Sequence, residues 1–239
     1  MHSALILAAG RGERMRDQGL PKPLVPFLGL PLLARSMRTL ARAGIDRVVV
    51  AVGHEADRIA EAARRYGREA HLEVAIARAP EWERGNGASA LAARELLQEP
   101  FLMVMCDHLF DPALLQRLIK APMPQDGLVL AVDRRLNNPL VDKDDVTRVQ
   151  LDGERITAIG KGLERFDGWD TGAFACTPGA FAALSASDGS VSDAVRLLAR
   201  EGKARALDIG EAFWADLDDA AAMRRARRAM LHRAAGKAS

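Results

Sequence analysis

Cysteine is scarce in this 239-residue chain, which holds only Cys106 and Cys176, far apart and each inside an apolar run. Two such thiols exclude a disulfide scaffold or a cysteine-rich metal site, and they read as reduced core residues in a reducing compartment. Charge of one sign is not in excess either: 34 Lys and Arg against 32 Asp and Glu leave a formal net charge of +2, which excludes a nucleic-acid-binding polycation. No apolar stretch reaches the roughly 18 residues of a membrane span, and Met1 to Ala9 lacks a charged leader and a cleavage site. A cytoplasmic protein is expected. Two common glycine-loop signatures are missing as well. Met15 stands where a dinucleotide fingerprint needs its third glycine, and the Gly-Lys-Ser/Thr ending of a P-loop is absent.

What is present starts at the N-terminus. Ala4 to Ala9 is a short apolar run of the kind that forms a buried parallel strand, and it stops at Gly10. From Gly10 to Met15, two glycines leave backbone N–H groups open to a ligand, and Arg11 and Arg14 between them add positive charge. Lys22 sits between Pro21 and Pro23, which offers a compact ammonium on a stiff, extended support. Polyanions suit such a loop. The plainer reading is an ordinary strand-to-helix turn with solvated arginines.

With 49% of its residues apolar, the chain can bury a sizeable core as one large domain or two small ones. Its elements alternate. A helix is expected over Leu30 to Ala43, ended by Gly44, then a strand over Val48 to Val52, a helix over His54 to Tyr66 and a strand over Leu72 to Ala77. This pattern predicts an α/β fold, a Rossmann-like, mostly parallel mixed sheet with helices on both faces, whose ligands bind beyond the carboxyl ends of the strands. Gly85-Asn86-Gly87-Ala88-Ser89 follows, with Ser89 as cap of a helix over Ala90 to Leu97; the loop can lay backbone against a flat base.

Phe101 to Cys106 is the most hydrophobic strand and runs into Asp107-His108. A carboxylate there is costly unless a cation meets it, and Mg2+, which takes one or two protein carboxylates beside substrate phosphates, fits; a turn cap is the alternative, although Asp111-Pro112 already supplies a cap. His108 either orients Asp107, touches substrate or is structural. Helix Pro112 to Lys120 and strand Leu128 to Val132 come next. Thr147 to Leu151 and Arg155 to Gly160, joined by Asp152-Gly153, read as a small antiparallel hairpin insertion. Asp170-Thr171-Gly172 opens a strand to Cys176, a helix runs from Thr177 to about Leu184, Ser190 caps a helix over Val191 to Glu201, and Ala204 to Ile209 is an edge or returning strand. Asp218 and Asp219 suit capping of a last helix, Ala220 to about Ala234, whose Arg224, Arg225, Arg227, Arg228 and Arg233 read as a solvated basic face; 236–239 reads as a frayed tail.

LAAGRGERM followed by PKPL resembles the signature of the sugar-nucleotidyltransferase superfamily. That resemblance implies a nucleotide site of Leu7, Ala8, Ala9, Gly10, Arg11, Gly12, Arg14, Lys22 and Asp107, with Asn86, Gly87 and Ser89 against a cytosine base and ribose. It also implies an acceptor side of His108, Asp142, Lys161, Asp170, Thr171 and Gly172, with Lys161 on the acceptor phosphate. Phe213-Trp214-Ala215-Asp216-Leu217-Asp218 resembles the segment whose first aspartate completes magnesium coordination, which makes Asp107 and Asp216 the metal pair and Arg11, Lys22 and Lys161 the catalytic cations. Over essentially the whole chain, NG-x-S, M-C-D-H-x-F-D, V-D-x-D-D-V-T, I-G-K-G-L and D-T-G look most like the CTP:inositol-1-phosphate cytidylyltransferases. Val146 and Arg148 depart from the alanine and lysine frequent there.

The expectation is a single nucleotidyltransferase domain over 1–239, nucleotide half about 1–132 and acceptor half about 133–239, that moves CMP from CTP to inositol 1-phosphate with Mg2+ and releases pyrophosphate. Phosphocholine, 2-aminoethylphosphonate and sugar 1-phosphates are alternative acceptors. The membrane phosphotransferase often fused behind such domains is missing, so a free-standing version that hands product to a separate membrane enzyme is expected, with no nucleic-acid partner. Two rivals are a non-catalytic nucleotide sensor, which could dispense with Asp107, Asp216 and Lys161, and a basic-surface module using the C-terminal arginines.

Overall fold

The computed structural model describes residues 1–187 and 189–236. The N-terminal apolar run becomes β1 (Ser3–Leu7), and its alternating side chains enter two different cores. A two-residue hairpin, β2 (Pro26–Phe27) and β3 (Leu30–Pro31), leads into α1 (Leu32–Ala43), which ends at Gly44 in left-handed conformation. Then follow β4 (Arg47–Val52), α2 (Ala56–Ala70), β5 (Glu73–Arg78), α3 (Asn86–Leu91), β6 (Phe101–Met105), β7 (His108–Phe110), α4 (Pro112–Lys120) and β8 (Leu128–Asp133). The C-terminal part contributes β9 (Arg148–Asp152), β10 (Arg155–Gly160), β11 (Gly168–Cys176), α5 (Ala180–Ala186), α6 (Val191–Arg200), β12 (Ala204–Asp208), β13 (Trp214–Asp216) and α7 (Ala220–Gly236).

The main sheet has nine strands in the order β5-β4-β1-β6-β11-β8-β12-β10-β9. Ala4 and Ile6 face a core shared with α1, α2 and α4, whereas Leu5 and Leu7 face one shared with α3, α5 and α6, so helices cover both faces. A smaller cluster under α7 joins Phe27, Leu32, Leu109, Ala215, Leu217 and Ala226. β1 pairs in parallel with both β4 and β6, and the chain changes winding direction there. Leu7 stands opposite Met105, so the loop after β1 and the residues after β6 emerge side by side. No helix among the described residues is long and apolar enough to cross a membrane.

Several boundaries differ from the sequence reading for local reasons. Pro31, extended at ψ 146°, holds α1 back from Leu30 to Leu32. α2 starts after Glu55, which is left-handed, rather than at His54, and α5 starts at Ala180 rather than Thr177. Gly85, at φ +130°, starts α3 four residues early; Ser89 lies inside that helix and donates its hydroxyl back to the Gly85 carbonyl at 3.3 Å instead of capping. β12 is interior, parallel to β8, and the 170–172 segment lies within β11, at a bulge, rather than at its start. The hairpin β9–β10 joins the main sheet through β12 and β11. Asp219 caps α7 through the Ala222 N–H at 2.7 Å, but Asp218 turns elsewhere. Of the tail expected over 236–239, residues 237–239 lie outside the described residues.

A buried carboxylate ties the end of β8 and the turn after it to β13. Asp133, fully buried at the end of β8, accepts from Arg135 Nε (2.8 Å), Asn138 Nδ2 (2.7 Å) and Trp214 Nε1 (2.7 Å). Burial alone would raise its pKa, but these donors outweigh it and hold it below the ordinary carboxylate value. Its stability contribution is therefore present above the unfolded-state pKa and lost as pH falls. Asp133→Ala is expected to cost about 3–5 kcal/mol in urea unfolding at neutral pH, and the native protein to lose this contribution as pH drops below about 4. Unchanged urea stability in the variant would mean the network carries no load.

Candidate active site

Lys22 enters the site because Pro21 and Pro23 hold its segment and a short 3-10 turn, Lys22–Leu24, presents it inward. Its side chain is nearly buried, and its ammonium donates to both Asp107 and Asp218. Gly12, at φ +62°, lies so close that a Cβ there would sit 2.5 Å from Lys22 Cβ, so the glycine loop and the lysine are packed as one unit. Burial works against the ammonium, yet Asp107, Asp218 and Asp216 together raise its pKa. Asp107 is lowered to about 2: burial pushes it up, and Lys22 and His108 overcome that.

Asp216 arrives through β13, which pairs with β7 so that Asp216 faces His108. The Leu217 N–H donates to the Asp107 carbonyl at 3.1 Å, which lays the 216–218 segment alongside Asp107. His108 Nδ1–H donates to the Thr171 carbonyl at 2.7 Å, turning Nε2 toward Asp216 at 3.3 Å and Asp107 at 3.8 Å. Burial lowers the imidazole pKa, but Asp216 and Asp107 lift it to about 10. Asp170, which accepts from the Gly172 N–H at 2.8 Å, is raised to about 6, first by burial.

A divalent cation fits this set. Ligand atoms of Asp107, His108 and Asp216 lie within 4.8 Å of one another. Asp216 Oδ1 is buried with the His108 Nε2 at 3.3 Å as its near neighbour and no other donor among the described residues, and Asp218 has its pKa raised, first by burial and then by Asp216. A carboxylate group short of positive charge is what a hard cation relieves, with Asp107 and Asp216 as its oxygen ligands.

Two cavities adjoin here. One, of about 220 Å3, is lined by Leu7, Ala8, Gly10, Gly12, Lys22 and Asp107; the other, of about 230 Å3, by Asn86, His108, Asp145, Lys161, Asp170, Gly172 and Asp216. Asp107 and Asp218 line both. Lys161 Nζ donates to Asp145 at 2.5 Å, and Arg14 Nη1 donates to the same carboxylate at 2.6 Å and to Asp218 at 3.3 Å. Asp145 lies in the V-D-x-D-D-V-T segment expected along the acceptor side but is not singled out there, and Asp218 reads from the sequence as a helix cap. The one signal for Asp218 is its i, i+2 relation to Asp216 on an extended chain.

Other expected residues stand apart. Arg11 lies over the Trp82 ring, 3.8 Å from Glu83 and from Glu13, and lines neither cavity. Ala9 is buried outside both linings. Gly87 packs its backbone on Gly189, and Ser89 is buried, leaving Asn86 at the cavity, where its side-chain oxygen accepts from the Val191 N–H. The Thr171 hydroxyl is spent on the Ala131 carbonyl at 2.8 Å and is fully buried, so it cannot meet an acceptor. Asp142 accepts from the Asp144 N–H and lines a different depression with Arg14 and Arg225.

A glycine-loop strand and a carboxylate-bearing strand meeting at the switch point of a mixed sheet define an α/β fold of the nucleotide-diphospho-sugar transferase type. The chain belongs to the family of MobA-like NTP transferase domains, whose model matches residues 4–166. It is similar to a bifunctional IPC transferase and DIPP synthase of Rubrobacter xylanophilus, 40% identical over 222 residues, 90% of this chain and 49% of that protein. A protein of the same description from Thermococcus kodakarensis is 30% identical over 97% of this chain and 51% of its own. The chain thus spans about half the length of these curated relatives. Among solved structures, the inositol-1-phosphate CTP transferase from T. maritima superposes with a TM-score of 0.82 at 24% identity, covering 93% of this chain and 91% of that one, a likeness of fold.

Gly172, at φ +76°, leaves the room His108 occupies, since a Cβ there would lie 2.6 Å from His108 Nδ1. Gly172→Ala is expected to cost about 1–3 kcal/mol through backbone strain and to shift the His108 ring resonances in NMR spectra. Unmoved resonances would show that the imidazole is not held by this bulge.

Proposed function

We propose that this domain transfers CMP from CTP to inositol 1-phosphate, releasing pyrophosphate. The observation that carries the reading is the pair of adjoining cavities sharing Asp107 and Asp218, one floored by the glycine loop and Lys22, the other holding Lys161. The names of the relatives above support the substrate class. The acceptor's phosphate oxygen forms a new bond to the α-phosphorus as the bond to the pyrophosphate oxygen breaks. No protein nucleophile is required, so the residues position two anions and offset their repulsion.

In this reading Gly10, Gly12, Arg14 and Lys22 receive the triphosphate, and Lys161 receives the acceptor phosphate. Asp145, which holds both Arg14 and Lys161 without substrate, aims the two cations across one cleft. Asn86 edges the acceptor-side cavity and can reach a base laid between the two. Asp107 and Asp216 would hold Mg2+, which supplies Lewis-acid charge to phosphate oxygens when bound. His108, fixed by the Thr171 carbonyl, orients Asp216.

The test is a pyrophosphate-release assay of CTP, UTP, GTP and ATP against inositol 1-phosphate, phosphocholine, 2-aminoethylphosphonate and glucose 1-phosphate. The expected pair is CTP with inositol 1-phosphate; turnover with another acceptor alone overturns the substrate. Asp107→Asn and Asp216→Asn are expected to lower kcat by at least about a hundredfold, and near-normal turnover in either sinks the metal assignment. Lys161→Met should raise the acceptor KM by about tenfold while leaving the CTP KM nearly unchanged.

A further inference from the structure

The chain has a third cavity, as large as either half of the cleft, that the proposed reaction does not use. It measures about 250 Å3 and lies between α1, α4 and α7, behind the wall that carries His108. His108 is the one lining residue it shares with the acceptor-side cavity, and it shares none with the glycine-loop cavity.

Its lining is unbalanced in charge. Arg35, Arg42 and Arg233 face it, against a single carboxylate, Asp111. Asp111 is already engaged: it accepts from the Ala113 N–H at 3.1 Å as the cap of α4 and stands 3.7 Å from Arg233. Arg35 is the informative one. Its Nη2 donates to the Phe27 carbonyl at 2.6 Å, its guanidinium lies over the Phe27 ring, and its buried Nε has no acceptor among the described residues. Burial first, and then neighbouring Arg38, lower its pKa, the signature of a cation without a counter-charge. A part-buried cation without a counter-charge is costly, and an anion in the cavity would supply one. The rest of the wall is mixed: Ser36, Thr39 and His108 are polar, while Leu40, Leu115 and Met230 form an apolar side. A cavity of about 150 Å3 already holds a benzene ring, so this one has room for a hydrocarbon group beside an anionic head.

We propose that this cavity is a second ligand site, distinct from the cleft, for a small amphipathic anion: a phosphate or carboxylate head on Arg35 and Arg233 with a short hydrocarbon tail against Leu40, Leu115 and Met230. The inference stands on the cavity and its arginines, not on the reaction proposed above.

The probes are hexyl phosphate, hexanoate, inorganic phosphate and hexanol, titrated by calorimetry into the full chain. Saturable one-to-one binding of hexyl phosphate or hexanoate, tighter than inorganic phosphate and hexanol, is expected; which of the two binds better identifies the head group. Saturating CTP should leave that Kd within about twofold. Arg35→Met should weaken binding by about tenfold, and Met230→Trp, on the half-buried face of α7, should block it by filling the cavity while the circular dichroism spectrum stays native. Absence of binding by both amphiphiles, displacement by CTP, inorganic phosphate binding as tightly as hexyl phosphate, or unchanged affinity in a folded Met230→Trp variant each overturns the proposal.

Discussion

A nearly buried ammonium gripped by two carboxylates is the interaction on which this architecture turns. Lys22, 85 residues from Asp107 and 196 from Asp218, ties the glycine loop to the end of β6 and to the segment after β13. Taking three charged groups out of water is expensive, and the arrangement holds only because each finds an opposite charge at hydrogen-bond range. Asp107, lowered to about 2, stays ionised at any physiological pH, so the lysine keeps its partner. The backbone enforces the same convergence: parallel pairing sets Leu7 opposite Met105, and the Leu217 N–H closes on the Asp107 carbonyl.

Around that centre the carboxylates outnumber their immediate cation. Asp107, Asp216 and Asp218 crowd Lys22, Asp216 Oδ1 has only the His108 imidazole beside it among the described residues, and Asp218 is pushed toward its neutral form. Such a cluster is electrostatically poised for added positive charge while its flanks, Arg14 and Lys161, are poised for added negative charge. A nucleoside triphosphate with a divalent ion brings both at once. Asp145 completes the balance as counter-ion to both Arg14 and Lys161.

The parts of this design written in local chemistry are legible in the sequence. β1, its glycine turn, the Pro-Lys-Pro support and the carboxylate after the most apolar strand depend on neighbours a few residues away, and α4 with its Asp111 cap spans the residues expected of it. Residues whose roles depend on distant partners are not. Nothing near Asp218 announces Lys22, and nothing near Asp145 announces both Arg14 and Lys161. Hydroxyls misled for the same reason: Ser89 and Thr171 found backbone carbonyls, Gly85 and Ala131, before they could face a ligand. Arg11 belongs to the loop by sequence, but the Trp82 ring and Glu83 draw it aside.

The most direct measurement is anomalous diffraction at the manganese edge from crystals grown with CTP and Mn2+. A single strong peak about 2–2.5 Å from carboxylate oxygens of both Asp107 and Asp216 is predicted, with the triphosphate over the glycine loop beside Lys22. A peak that touches neither aspartate, with nucleotide bound, contradicts the account.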